Sequence, residues 1–382
     1  MTKWSAQVMM AAVVFLLGVG VVMLVSTSVF GIDVPSEDVY YDVKRQLVWV
    51  VLGGMVCMMM ANIDYHLLQK MVWLIYGICI LLLALCFVPG VGQTLNGESR
   101  WINIAGVFSL QPSELAKLAM VVVMAHWFAR YFDEGKPFRS GLLFPGLISG
   151  LMVALVLFEV DLGTTVILSA VVFVLMFVGG TDWKYLAMSS ALAVGAFTLM
   201  VLERPDKMER LTAFLHPDLH RSGVGLQQWM ALMALGSGGV EGMGLGSGRL
   251  KMLYMPFAHT DFIFPMIGEE LGLRVTLAVV FAFLLISVAG LTIAFHARDR
   301  FGTMLGVGIV SFISLQAVVN IGVTTSVLPN TGLPLPFISY GGSALMAVMA
   351  GIGILLNIFR QGDISGKARF QGIAKRRITP RV

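Results

Sequence analysis

Long, uninterrupted apolar stretches restrict what this chain can fold into more than any other feature. A helix needs about 20 mostly apolar residues to cross a bilayer. Ten segments approach or exceed that length: 8–29, 45–62, 70–89, 112–130, 141–159, 162–180, 184–202, 264–295, 302–328 and 339–359. A water-soluble core could not hide so much apolar surface, since 57% of the 382 residues are hydrophobic, only 13% are charged and the mean hydropathy is +0.85. The pattern predicts an all-α polytopic membrane protein: one ten-helix transmembrane domain over residues 1–360, then a basic tail over 361–382. The first segment lacks a small-residue cleavage site and is read as a retained span.

Ten spans put both termini on one side. With the N-terminus inside, that side holds Lys3, Lys70, Arg130, Lys136, Arg139, Lys184, Arg298, Arg300 and the seven cations from Arg360 onward, which is 15 of the 26 Lys/Arg. Cationic short loops mark the cytoplasmic face, so both termini are expected there. The tail then lies against the anionic inner leaflet, a better reading than nucleic-acid binding. The outer face receives 30–44, 90–111, 203–263 and 329–338. The third of these, between the seventh and eighth spans, is by far the longest, and its length predicts function. Cys57, Cys79 and Cys86 lie in or beside apolar runs without metal-ligand spacing and read as core thiols.

Charges beside a membrane span are costly, so a cluster there is a candidate site. The stretch Gly239 to Gly272 gathers Arg249, Lys251, His259, Asp261, Glu269 and Glu270. Asp261 stands where a polar loop enters an apolar helix. Partial desolvation there would raise its pKa towards that of a general base, while a helix N-cap is an equal alternative. The link Glu159-Val160-Asp161-Leu162-Gly163 is so short that its carboxylates must sit at the outer mouth of the bundle. Glu114 and Lys117, at i,i+3, read as a structural salt bridge. Arg100 could grip phosphate oxygens with its planar fork, or anchor the interface beside Trp101. Arg210 and Lys251 add cations to the long outer loop, where an anionic ligand arriving from the outer leaflet would meet them.

Three prolines and a glycine between Leu328 and Phe337 cannot continue a helix. Irregular backbone at membrane depth must be buried or line a wet cavity, so this segment and the following Ser339, Tyr340 and Gly341 are expected to form a cavity wall. The glycines of 242–248 match no phosphate-binding pattern and read as a flexible turn. His216 and His220 flank Pro217 with no third ligand nearby, and no metal site is assigned to them.

Several segments together resemble the SEDS family (shape, elongation, division and sporulation), the group that includes FtsW and RodA. They are Gly97-Glu-Ser-Arg-Trp101, Gln111-Pro-Ser-Glu-Leu-Ala-Lys117, Asp161-Leu-Gly-Thr164, Gly244-Leu-Gly246, His259-Thr-Asp-Phe-Ile-Phe264, Gly268-Glu-Glu-Leu-Gly272, Asn320-Ile-Gly-Val323 and Thr331 to Ser343. Gly244-Leu-Gly246 and Ile267 to Gly272 lean towards FtsW. The pattern departs from the family at Leu226, Met230, Ala231, Gly248, Phe257 and Pro265.

The resemblance implies a peptidoglycan glycosyltransferase of the bacterial cytoplasmic membrane that polymerises lipid II at the outer face. The family's essential aspartate falls on Asp261, which tips that residue towards the general-base role. Arg100, Arg210 and Lys251 would neutralise the leaving pyrophosphate, with Asp161, Ser339, Tyr340 and Gly341 completing the substrate site. Glu114 and Lys117 would be its structural pair, and His259, Glu269 and Glu270 its supporting residues. No tightly bound cofactor is implied beyond a divalent cation, Mg or Mn, arriving with the pyrophosphate. The implied partners are a class B penicillin-binding protein and other divisome or elongasome proteins. A lipid II transporter is the alternative; it would need its polar groups at mid-membrane depth.

Overall fold

The computed structural model describes residues 2–28, 40–95, 98–104, 108–132, 137–215, 223–249 and 260–378. The expected Lys251, His259, His216 and His220 lie outside them. Each of the ten apolar segments is helical along most of its length. They correspond to α1 (Thr2–Ser28), α2 (Tyr41–Asn62), a short α3 (His66–Lys70) with α4 (Val72–Leu85), α5 (Pro112–Arg130), α6 (Phe144–Phe158) entered through the π-turn Arg139–Leu143, α7 (Leu162–Gly179), α8 (Trp183–Leu202), α11 (Ile263–Phe295), α12 (Arg300–Thr324) and α13 (Gly342–Ile378). Eight of them are long and apolar enough to cross a membrane, and Val72–Leu85 is a shorter apolar helix. The 19-residue α5 carries the Glu114/Lys117 pair and is buried on nearly every side.

The interior is helix on helix. α5 and α12 form its centre, with α7 packed against both and α11 against α12, while α1 packs on α11 and α2 on α13. Small residues allow the close approaches: a Cβ at Gly308 of α12 would collide with Val121 of α5. α8 stands at the rim, its side chains largely exposed. Between α8 and α11 lie α9 (Pro205–Leu215) and α10 (Leu226–Gly238), and α10 packs on α11.

Two features go beyond the all-helical expectation. Residues 92–95, 98–104 and 108–110 form a three-stranded antiparallel sheet, β1 (Gly92–Leu95), β2 (Glu98–Ile104) and β3 (Phe108–Leu110), with Gln93 opposite Trp101 and Ile102 opposite Leu110. The segment predicted as one continuous span over 264–295 is broken at Gly272 (φ 75°, ψ −179°). That left-handed, extended conformation is open to glycine, and Gly242 approaches too closely for any side chain. Pro265, a departure from the family pattern, falls in the first turn of α11, where its missing N–H costs no helical hydrogen bond.

Candidate functional site

The non-helical run from Thr325 to Gly341 folds back into the bundle, as its prolines require, and polar side chains of α12 and α10 hold it there. Gln316 Nε2 donates to Pro334 O (2.9 Å), Asn320 Nδ2 to Leu333 O (2.7 Å) and Gln228 Nε2 to Leu328 O (2.8 Å). The same amides and hydroxyls fix the turn that precedes α11. Asn320 Nδ2 also donates to Asp261 O (2.8 Å), and Ser339 Oγ donates to Thr260 O (2.6 Å). These carbonyls could not be left unpaired inside the bundle, so the amides set the backbone position of Asp261.

Between this run, the β-meander, α9 and the N-terminal ends of α2, α5 and α7 lies a cavity of about 510 Å³. Asp261 faces it, half-buried. The residue at the N-cap of α11 is Phe262, which makes no side-chain cap. Asp261 therefore does not serve as that cap, and its carboxylate accepts no hydrogen bond from the described residues. Gly332, with φ 67°, lies beside Asp261 Oδ2 and keeps that flank open.

A second acid of the cavity, Asp161, is committed to its neighbours. Asp161 caps α7, accepting from Thr164 N (3.0 Å) and Thr164 Oγ1 (2.9 Å), with Gln111 Nε2 at 3.3 Å, Ser113 Oγ at 3.4 Å and Arg100 Nη1 at 3.8 Å. Its position follows from a strained turn: Val160 has φ 64°, a conformation that a β-branched side chain rarely adopts. Glu159, on the other side of Val160, is buried beside the Cys86 thiol. Burial pushes its pKa up to about 8, and the nearby Asp161 adds to the shift. At Asp261, burial likewise pushes the carboxyl up to about 6; Arg100 and Arg210 pull against this and Asp161 reinforces it. A carboxylate with that value is ionised at neutral pH yet basic enough to take a proton.

Arg100 reaches the cavity from β2, Arg210 from α9, and Tyr340 and Gly341 from the approach to α13. Ser339 does not line it; its hydroxyl instead accepts Leu335 N (2.8 Å) and holds Thr260. Glu114 lines the cavity floor, with Lys117 Nζ 2.7 Å from Oε2 and 2.6 Å from Gln316 Oε1, all three side chains buried. The expected structural pair is thus a triad, and its third member carries the proline-rich run.

Glu269 and Glu270, grouped with Asp261 in the sequence, do not line the cavity. They fasten the glycine-rich loop 239–249: Glu270 Oε2 accepts Ser26 Oγ (2.6 Å) and Gly246 N (2.9 Å), and Glu269 Oε1 accepts Arg249 N (2.8 Å). A side chain at Gly248 would run into both carboxylates, which accounts for glycine at that departure from the family pattern.

Among the described residues, no three His, Cys, Asp or Glu side chains converge as metal ligands. With Asp161 saturated by donors, Asp261 is the carboxylate available to a cation. Any divalent ion here would draw most of its oxygens from a ligand's phosphates. Sequence reasoning did not single out Arg45, Trp49 or Gln227, which also line the cavity with Asn330 of the expected wall segment. Arg45 did carry a signal, being a cation at an end of a span that the sequence places on the expected outer face, against the usual charge bias.

Residues 7–363 match the FtsW/RodA/SpoVE family of cell cycle proteins. A probable peptidoglycan glycosyltransferase FtsW from Geobacter sp. (strain M18) is 38% identical over 339 residues, 89% of this chain and 92% of that protein. Stage V sporulation protein E of Bacillus subtilis (strain 168) is 36% identical over 348 residues, covering 90% and 94%. Among solved structures, a chain of a peptidoglycan synthase complex, studied for its coordination of polymerization and crosslinking, superposes with a TM-score of 0.71 at 28% identity, covering 92% of this chain and 97% of that one. The rod shape determining protein RodA of Thermus thermophilus superposes with a TM-score of 0.68 at 26% identity, covering 92% and 95%. With sequence, fold and length in agreement, the chain belongs to the FtsW/RodA/SpoVE family.

Proposed function

We propose that this protein is a peptidoglycan glycosyltransferase that polymerises lipid II at the outer face of the cytoplasmic membrane, in cell division or cell-shape maintenance, with Asp261 as general base. A family member whose described residues include eight helices long and apolar enough to span, it is a multi-pass protein of the bacterial cytoplasmic membrane. The charge bias of its short loops supports cytoplasmic termini, ten crossings and an outward-facing cavity.

One observation carries the reading. The polar cavity shares Arg100, Arg210, Asn330 and Thr331 with an apolar pocket of about 210 Å³ walled by α7, α8 and α9. Further along α8, a larger apolar cleft of about 870 Å³ opens between α6, α7 and α8. A charged chamber joined to apolar space at a pair of arginines suits a ligand with a saccharide head, a pyrophosphate neck and a hydrocarbon tail.

In the reaction, the acceptor sugar's 4-hydroxyl attacks the anomeric carbon of the donor. The new carbon–oxygen bond forms as the bond to pyrophosphate breaks. Its electron pair leaves with polyprenyl pyrophosphate, the proton passes to Asp261, and configuration inverts. Arg100 and Arg210, with Lys251 from the same outer loop, neutralise the growing negative charge. A divalent cation, Mg or Mn, would travel with the pyrophosphate and add positive charge there. Asp161 orients Arg100, while Glu269 and Glu270, with His259, support the loop that leads to Asp261.

The described residues include no soluble domain that could cross-link peptides, so a class B penicillin-binding protein is the expected partner, within a divisome or elongasome. Purified protein with that partner should convert labelled lipid II to polymer, and Asp261→Asn should not. Movement of lipid II across vesicles without polymer formation by the wild type would favour a transporter instead.

A further inference from the structure

The cavity has a second cationic pole. Arg45 and Trp49 project into it from the N-terminal end of α2, opposite Tyr340, Gly341 and Ser343 at the head of α13. None of these residues borders the apolar pocket that Arg100 and Arg210 share, so the two poles occupy different sides of the chamber. The Arg45 guanidinium lies near the Tyr340 hydroxyl, close enough to favour its ionised form. The Trp49 indole lies directly over Gly342, where any side chain would displace it. Gln46, one residue on from Arg45, is buried, with Nε2 3.4 Å from Ser339 O and Oε1 3.4 Å from Gly341 N. Through Ser339, which holds Thr260, this pole is tied to the turn that carries Asp261. It is therefore built into the same frame as the base and held at a fixed distance from it.

We infer that Arg45, Trp49 and Tyr340 form a second subsite, which holds the pyrophosphate and first sugar of the acceptor, a second lipid-linked saccharide. This rests on the glycosyltransferase reading and deepens it. Joining two such lipids requires room for two pyrophosphates, and the chamber offers two separate sets of guanidinium groups. The donor pyrophosphate gains charge as its bond breaks, and Arg100 and Arg210 together meet it. The acceptor pyrophosphate stays intact as a diester through the step, so the single guanidinium of Arg45 suffices to hold it. Trp49 offers a flat apolar face of the kind that packs against a sugar ring, and the Tyr340 hydroxyl offers a hydrogen bond. From this pole the acceptor hydroxyl projects towards Asp261 while its lipid leaves the chamber on the α2 and α13 side.

The test counts bound ligands. The full chain with its partner, carrying Asp261→Asn to block turnover, is titrated with lipid II in nanodiscs and examined by native mass spectrometry. Two equivalents are expected, with one lost in Arg45→Gln and one lost in Arg100→Gln. With Asp261 intact, Arg45→Gln and Trp49→Ala should raise the half-saturating lipid II concentration tenfold or more while kcat falls less than threefold, and Arg45→Lys should recover part of the loss. Unchanged unfolding temperatures certify that the variants fold. Two equivalents retained in Arg45→Gln with unaltered concentration dependence would overturn the second subsite and leave the reaction assignment standing. Weakened binding of phosphatidylglycerol with lipid II binding unaltered would also overturn it, assigning the pole to bilayer headgroups. If the wild type makes no polymer and Asp261→Asn binds no lipid II, the reaction assignment itself fails.

Discussion

Asn320 Nδ2 lies 2.8 Å from the carbonyl oxygen of Asp261 and 2.7 Å from that of Leu333. One buried carboxamide on α12 thus sets the distance between the proposed base and the proline-rich wall opposite it. Asn320→Leu leaves both carbonyls without their donor, at about 1–3 kcal/mol for each buried group. Asn320→Asp, as a carboxylate, can donate to neither. Both variants should polymerise lipid II at least about tenfold more slowly, as expected when a reacting group is misplaced. Single-turnover rates, compared at saturating substrate, would expose wild-type behaviour if the tether were idle.

Lys117 neutralises Glu114 inside the bundle and also holds Gln316. Removing one partner of a buried pair strands the other, with a cost of about 3–5 kcal/mol. Lys117→Met should accordingly lower the unfolding temperature in detergent. Glu114→Gln combined with Lys117→Met should recover most of that loss, because no charge is then left alone. Additive losses in the double variant would show that the two residues act separately.

Glu159 makes a prediction about stability and pH. Its folded-state pKa, near 8, lies above the ordinary carboxylate value of about 4.3. Between those values the unfolded chain releases a proton that the fold retains, so stability falls as pH rises. Glu159→Gln should flatten the decline in unfolding temperature between about pH 5 and 8. It should also leave polymerisation near the wild-type rate. An unchanged slope would mean that Glu159 ionises normally.

Much of this was legible in the sequence because hydrocarbon imposes simple rules. The ten apolar runs, the tight Glu159–Asp161 turn and the helix-breaking prolines after Leu328 each had one physical outcome. What escaped depended on contacts between distant segments. Hydropathy does not register the break at Gly272, since a glycine inside an apolar run reads as packing; only the approach of Gly242 reveals it. Glu269 and Glu270 follow Asp261 closely in sequence, yet α11 turns them towards Ser26 and the 239–249 loop. Arg45 and Trp49 stand near one end of an apolar run, and only the folded position of α13 brings Tyr340 and Gly342 against them. The β-meander that carries Arg100 is too short to show strand periodicity.

Asp261 provides the most direct test, through the pH dependence of polymerisation by the wild type and by Asp261→Asn at saturating lipid II. The base must be ionised, so the wild-type rate should fall about tenfold per pH unit below about 6 and level off above it. Asp261→Asn should be slower by about 10²–10⁴-fold at neutral pH, with no acid limb. It should unfold at an equal or higher temperature, because it removes a carboxylate that burial disfavours. A folded Asp261→Asn enzyme with the wild-type rate, or with the same fall below pH 6, would contradict the assignment of Asp261 as the base.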